Sequence, residues 1–294
     1  SGIATRAPHR DMTAGSVMDW RARKVPNRVW IGLGTVGIGL LAFEMISADS
    51  IAPAHFLIFI PIIIVFLDVF WDREPIFWEG KVNPLPIAIY LVAFGAMVTL
   101  VALEGATMTV GVLLAVPAIM LVFVAFYYLG IIRGGADAKA LMAIALMFPA
   151  YPTIAGLPLI EYPEQGMEVI QMMFPFAFLT LMNAAILHAI AGPLLRFFKN
   201  LARKDYGFPE MFLGHRMDIA DVPKRFVWPM EAVRDGEVVL LLFPKRGGNL
   251  NEELAELKAS GLDRIWVTPK DPFIIPMTVG IAFSAVVGNL VGLR

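Results

Sequence analysis

Seven runs of apolar residues, each roughly as long as a bilayer-crossing helix, dominate the chain: Val29–Ile46, Ala54–Phe70, Leu85–Leu103, Thr109–Ile132, Ala140–Leu157, Met172–Phe198 and Phe273–Leu293. Inside hydrocarbon the backbone has no water to bond to, so runs this long and apolar predict helices. Of the 294 residues, 58% are hydrophobic, and the mean hydropathy is +0.70. A soluble core of this size cannot absorb that surplus. The expected fold class is an all-α polytopic membrane protein of about seven transmembrane helices. Pro61, Pro117, Pro149, Pro152, Pro175 and Pro193 predict kinks within the runs.

Basic residues orient these helices. With Arg21, Arg23, Lys24 and Arg28 in the cytoplasm and the runs alternating, the loops 47–53, 104–108 and 158–171 fall outside, and they contain no Lys or Arg. Arg73, Lys81, Arg133, Lys139 and everything from Lys199 to Lys270 fall inside; of 24 basic residues only Arg294 breaks the pattern. Such a bias predicts a cytoplasmic-membrane protein with these segments on the inner face.

Four segments follow from the same reading. Residues 1–28 form a polar, basic juxtamembrane segment without an apolar core of signal-peptide length. Residues 29–198 form the transmembrane helical domain, and 272–294 a C-terminal transmembrane helix. Between them, 199–271 holds 12 of the 24 basic and 12 of the 25 acidic residues, so it is expected to be solvated and cytoplasmic. Val238–Phe243 reads as a strand, Leu250–Ala259 as a helix and Arg264–Thr268 as a second strand, giving a small βαβ-like, α+β insert.

Composition also narrows the chemistry. A formal net charge of −1 leaves no footprint for nucleic acid. With no cysteine, disulfides, thiol catalysis and thiolate metal sites are excluded. His9, His55, His188 and His215 are scattered, with no pair at ligand spacing. No phosphate-binding loop is present, so neither a cofactor nor a metal is expected.

What stands out is Gly134-Gly135-Ala136-Asp137-Ala138-Lys139, wedged between two apolar runs. A carboxylate at a hydrocarbon boundary is costly and is a candidate functional group for that reason. The two glycines let the backbone bend and a neighbour approach closely. Asp19 lands at the same cytoplasmic boundary in this orientation. Two carboxylates sharing one site split their pKa values, because both cannot ionise together cheaply. One then activates water while the other protonates the substrate. Asp137 would also open a helix, whose dipole favours its ionised form by about 0.3–1 kcal/mol. A splitting of roughly three pKa units is worth about 4 kcal/mol, so pair repulsion wins and one proton is shared. Asp68, near the inner end of the second run, is the rival acid; Lys139 supports the loop or anchors the topology. Glu44, Glu104, Asn183 and His188 read as snorkelling or satisfied between helices.

These residues also form a familiar pattern. Gly134 to Lys139 resembles the Gly-x-Gly-Asp-x-Lys motif of the prepilin peptidase family of intramembrane aspartic proteases. Ser16-Val17-Met18-Asp19-Trp20-Arg21-Ala22-Arg23-Lys24-Val25-Pro26-Asn27 resembles that family's first-aspartate segment, with its basic stretch and Pro-Asn ending. Met211-Phe212-Leu213-Gly214-His215-Arg216-Met217, and Ile265 to Lys270 running into Pro272-Phe273-Ile274-Ile275-Pro276, resemble the archaeal preflagellin peptidase branch. The resemblance implies cleavage of the leader from flagellin or type IV pilin-like precursors at the cytoplasmic membrane face, with Asp19 and Asp137 as the catalytic pair. Three departures accompany it. Ala136 stands where the second motif glycine belongs, the two aspartates are spaced as though two extra helices intervene, and one further helix is expected before Asp19. Bacterial relatives often carry cysteine pairs and methylate the new amino terminus; methylation is not carried over to this cysteine-free chain.

Two other classes compete. An ion- or proton-coupled transporter would place carboxylates near the midplane within inverted repeats. A membrane scaffold with a docking insert would tolerate loss of both aspartates.

Overall fold

The structure, a computed structural model, describes residues 25–48, 51–71, 77–78, 81–132, 134–149, 151–152, 156–159, 175–242, 249–271 and 273–288. Asp19 and the expected helix before it lie outside the described residues. The chain divides into two compact units, one of residues 1–185 with 273–294 and the other Ile186–Pro272.

The first unit is helical. Its elements are α1 (Asn27–Ser47), a 3₁₀ turn (Pro53–Ile58) leading into α2 (Phe59–Asp68), α3 (Pro84–Glu104), α4 (Met108–Tyr128) and α5 (Gly135–Met147). A two-residue ribbon, β1 (Phe77–Trp78) with β2 (Lys81–Val82), joins α2 to α3. The first part of α6 (Phe176–Arg203) and α9 (Ile274–Val286) complete it. Local chemistry sets the ends. Asn83 accepts from the Leu85 N–H at 3.2 Å, with Pro84 in the first turn of α3. Gly105 at φ 73° closes that helix.

At the centre lies α5, buried without a break from Ala140 to Met147. Being apolar on every side, it belongs inside the bundle. α1 lies along it: a Cβ on Gly37 would sit 2.8 Å from the Leu146 carbonyl carbon. Only glycine permits that approach. α3 is peripheral, burying Ala93, Ala96 and Leu100 while Leu91, Val92, Phe94 and Leu103 face outward. The lipid supplies the missing neighbours.

Four helices among the described residues are long and apolar enough to cross a membrane: α1, α3, α4 and α6. The expected count of seven bilayer-length helices is not met there. Pro53–Asp68 and α9 are apolar but shorter, and α5 has 13 residues where a run over Ala140–Leu157 was expected. α5 starts earlier, at Gly135, and stops at Met147. Phe148 leaves the helical region (φ −136°, ψ 72°) because the Pro149 ring crowds the backbone before it.

The second unit carries α7 (Glu210–Leu213), β3 (His215–Asp218), a 3₁₀ turn (Ile219–Lys224), β4 (Val227–Pro229), β5 (Glu231–Arg234), β6 (Glu237–Leu240), α8 (Leu250–Ala259) and β7 (Arg264–Pro269). Its core gathers Ile219, Val222, Val227, Leu254, Leu257, Ile265 and Val267. The expected strand–helix–strand order is present, but the pairing is antiparallel. β7 lies between β3 and β4, while β6 pairs with β5. The reason is local: Asp235 and Gly236, at φ 52° and 83°, close a two-residue hairpin that claims β6 for β5. Burial pushes the Glu231 carboxyl above the usual carboxylate range, and the Glu210 carboxylate adds to this. A hydrogen bond from the Trp266 backbone and the Arg216 charge oppose it.

Candidate active site

The candidate site sits where α5 begins. Gly134 precedes the helix in an extended conformation (φ −102°, ψ 122°), and its carbonyl accepts from the N–H of Asp137 at 3.0 Å and of Ala138 at 3.2 Å. Asp137 thus lies in the first helical turn, where the dipole favours an anion. A Cβ on Gly134 would overlap Asp137 Oδ2, so the carboxylate folds back over the glycine Cα. Neither motif glycine has a positive φ. The backbone freedom expected of them is unused, and Gly134 serves by leaving room for the acid. Gly135 is less constrained, since a Cβ there would meet the Tyr127 hydroxyl at an ordinary 3.6 Å. Ala136 is a helical residue packed against the core, so it needs no glycine-like freedom.

Lys139, two residues past Asp137, joins three elements. Its Nζ donates to Asn27 Oδ1 at 2.9 Å, at the first residue of α1, and lies 5.0 Å from the centroid of the Phe70 ring, just past α2. Asp68 ends α2 at the same end of the unit and accepts from the Tyr90 hydroxyl of α3 at 2.8 Å. Its carboxylate therefore ties α2 to α3. Asn27, Phe70, Tyr127, Gly134, Asp137 and Lys139 thus gather at one end of the first unit, and Asp19 lies outside the described residues. Asn183, expected to be satisfied between helices, donates to Ser284 Oγ at 2.8 Å and to the Gly288 carbonyl at 2.9 Å, linking α6 to α9.

Phe70 and Tyr90 were not singled out from sequence, and Asn27 entered only as the end of the first-aspartate segment. Asn27 and Lys139 are 112 residues apart and meet only through the helix packing. Tyr90 carried a readable signal, a lone hydroxyl within an apolar run, since a buried tyrosine hydroxyl usually finds a partner. Among the described residues, no three His, Asp or Glu side chains gather as a metal would require.

Comparison with known proteins adds an independent line. Residues 208–290 match the family described as Archaeal Peptidase A24 C-terminus Type II. A preflagellin peptidase of Methanococcus voltae is 23% identical over 281 residues, covering 93% of this chain and 90% of the relative. The chain is thus similar to the archaeal A24 peptidases. A preflagellin peptidase of Methanocaldococcus jannaschii is 24% identical over 178 residues, covering 57% of this chain and 70% of that protein. An uncharacterised protein of the same organism is 24% identical over 273 residues, covering 89% and 83%. The family match covers most of the second unit and α9 and leaves Asp137 outside it. The full-length alignment with the M. voltae protein is long enough to take in Gly134–Lys139.

Proposed function

We propose that the chain is a membrane aspartic endopeptidase that removes the leader peptide from flagellin or type IV pilin-like precursors at the cytoplasmic membrane face. The observation that carries this reading is the setting of Asp137. It occupies the first turn of a buried helix, with its carboxylate over Gly134, at the end of the unit where α1, α2 and α5 meet. The names of two relatives, both preflagellin peptidases, support the substrate class.

Asp19 is the proposed partner acid. It precedes Asn27 by eight residues, a stretch that spans at most about 29 Å when extended. The Lys139–Asn27 bond holds Asn27 at the end of the unit that carries Asp137, and eight residues of chain are long enough for Asp19 to reach that end. In the proposed reaction the ionised carboxylate takes a proton from water as the water oxygen adds to the scissile carbonyl carbon. The protonated partner gives its proton to the carbonyl oxygen. The carbon–nitrogen bond of the tetrahedral adduct then breaks with proton transfer to nitrogen, leaving a carboxylate on the leader and a free amino terminus on the mature protein. Water is the only co-reactant, and no covalent enzyme intermediate forms.

Detergent-solubilised chain incubated with a leader-bearing pilin precursor tests the reading. Cleavage is expected in the parent, and its loss with folding intact in both Asp19→Asn and Asp137→Asn. Asp68→Asn is expected to cleave. Retained cleavage in Asp137→Asn would discard the mechanism, and loss in Asp68→Asn with retention in Asp19→Asn would reassign the partner acid.

A further inference from the structure

Lys139 stands out because its half-buried side chain, in the first turns of an otherwise buried helix, bonds a neutral amide on another helix. The close contact of Gly37 with Leu146 sets α1 beside α5, both helices starting from the same end. Counting ten residues back along each helix places Asn27 level with Ala136, next to Asp137. Lys139 lies three residues deeper, about 4.5 Å along the axis. Helical side chains lean toward the N-terminus, so the lysine reaches back along its own helix to meet Asn27. Its ammonium thus ends level with the turn that carries Asp137, bonded to α1 and resting on Phe70 of the α2 end.

We propose that Lys139 is a positioning residue: through Asn27 it sets the first turn of α5, and with it Asp137, against the start of α1. This rests on the peptidase reading above. Backbone bonds alone leave a first helical turn weakly held, because its leading N–H groups lack partners within the helix. A tie from the same turn to a second helix limits rotation and fraying there. A carboxylate that must meet a water and a carbonyl at near-attack distance is sensitive to such displacement. If Lys139 acted instead as a charge tuning Asp137, its bond to Asn27 would be incidental, and the two roles separate by experiment.

The test uses the full chain in detergent with a leader-bearing pilin precursor, with kcat and KM read across pH for Lys139→Met, Asn27→Ala, the double variant and Asn27→Asp. In Lys139→Met and in Asn27→Ala kcat is expected to fall about tenfold to a hundredfold, with KM changed less than about twofold. The double variant is expected to be no slower than the slower single, because both remove one interaction. Asn27→Asp keeps an acceptor facing the ammonium and is expected to stay near parental kcat. Asn27→Ala is expected to keep the parental pH limbs, which a purely structural collapse or a lost counter-charge would not leave together with a lowered kcat. Parental kcat in Asn27→Ala, multiplicative losses in the double variant, or equal losses in Asn27→Asp and Asn27→Ala would each overturn the proposal. Should Lys139→Met fail to fold, the comparison of Asn27→Ala with Asn27→Asp decides alone. Cleavage by Asp137→Asn removes the peptidase mechanism and this inference with it, whereas cleavage lost in Asp137→Asn but parental in Asn27→Ala removes only this inference.

Discussion

Gly134 leaves no space for a side chain unless the Asp137 carboxylate moves. Gly134→Ala is expected to lower kcat about a hundredfold while the thermal midpoint stays near parental. Gly135→Ala meets only ordinary contact and is expected to keep its activity. It is also expected to gain up to about 1 kcal/mol of helix stability, read in initial rates and thermal melts. At this scale Asp137 was legible because an ionisable group between apolar runs is conspicuous. Asn27 was visible only as the end of the first-aspartate segment; its bond to Lys139 was not, because the two meet only when α1 is laid against α5. A second residue-scale effect follows from Glu231. Its folded-state pKa is raised, so its contribution to stability is present below the ordinary carboxylate value and is lost as pH rises through the folded one. Glu231→Gln is expected to flatten that decline and to raise the unfolding midpoint at neutral pH relative to the parent. A parallel decline in both proteins would contradict it.

Among the elements, the contact between α1 and α5 concentrates on Gly37. Gly37→Ala forces a methyl to within 2.8 Å of the Leu146 backbone, an overpacking expected to cost about 1–3 kcal/mol. Gly39→Ala, where nothing lies within 4 Å of the added carbon, is the matched control. Thermal unfolding in one detergent, followed by tryptophan fluorescence, compares them. Element types were readable where the pattern is local. α8 spans Leu250–Ala259, the helix read from sequence after Gly247-Gly248-Asn249. Strand partners were not, because direction and register depend on tertiary neighbours. Asp235-Gly236 was nevertheless a hairpin signal available in the sequence. The length of α5 was misjudged for a similar reason: hydropathy continues to Leu157, while the backbone answers to Pro149.

For the whole molecule, the bias of basic residues predicts sidedness, and the absence of cysteine makes it simple to measure. In intact cells Ala106→Cys is expected to react with a membrane-impermeant maleimide, and Ser260→Cys only after permeabilisation. The reverse pattern would invert the orientation and move the proposed chemistry to the outer face. The shortness of α5 has a consequence of its own. Thirteen residues extend about 20 Å, well short of the hydrocarbon's roughly 30 Å, yet every position from Ala140 to Met147 is enclosed by protein. Acyl chains find no surface on that stretch to match or mismatch. Stretching or thinning the bilayer therefore strains outer helices such as α3 first, and the carboxylate-bearing stub feels it only as far as its wrapping yields.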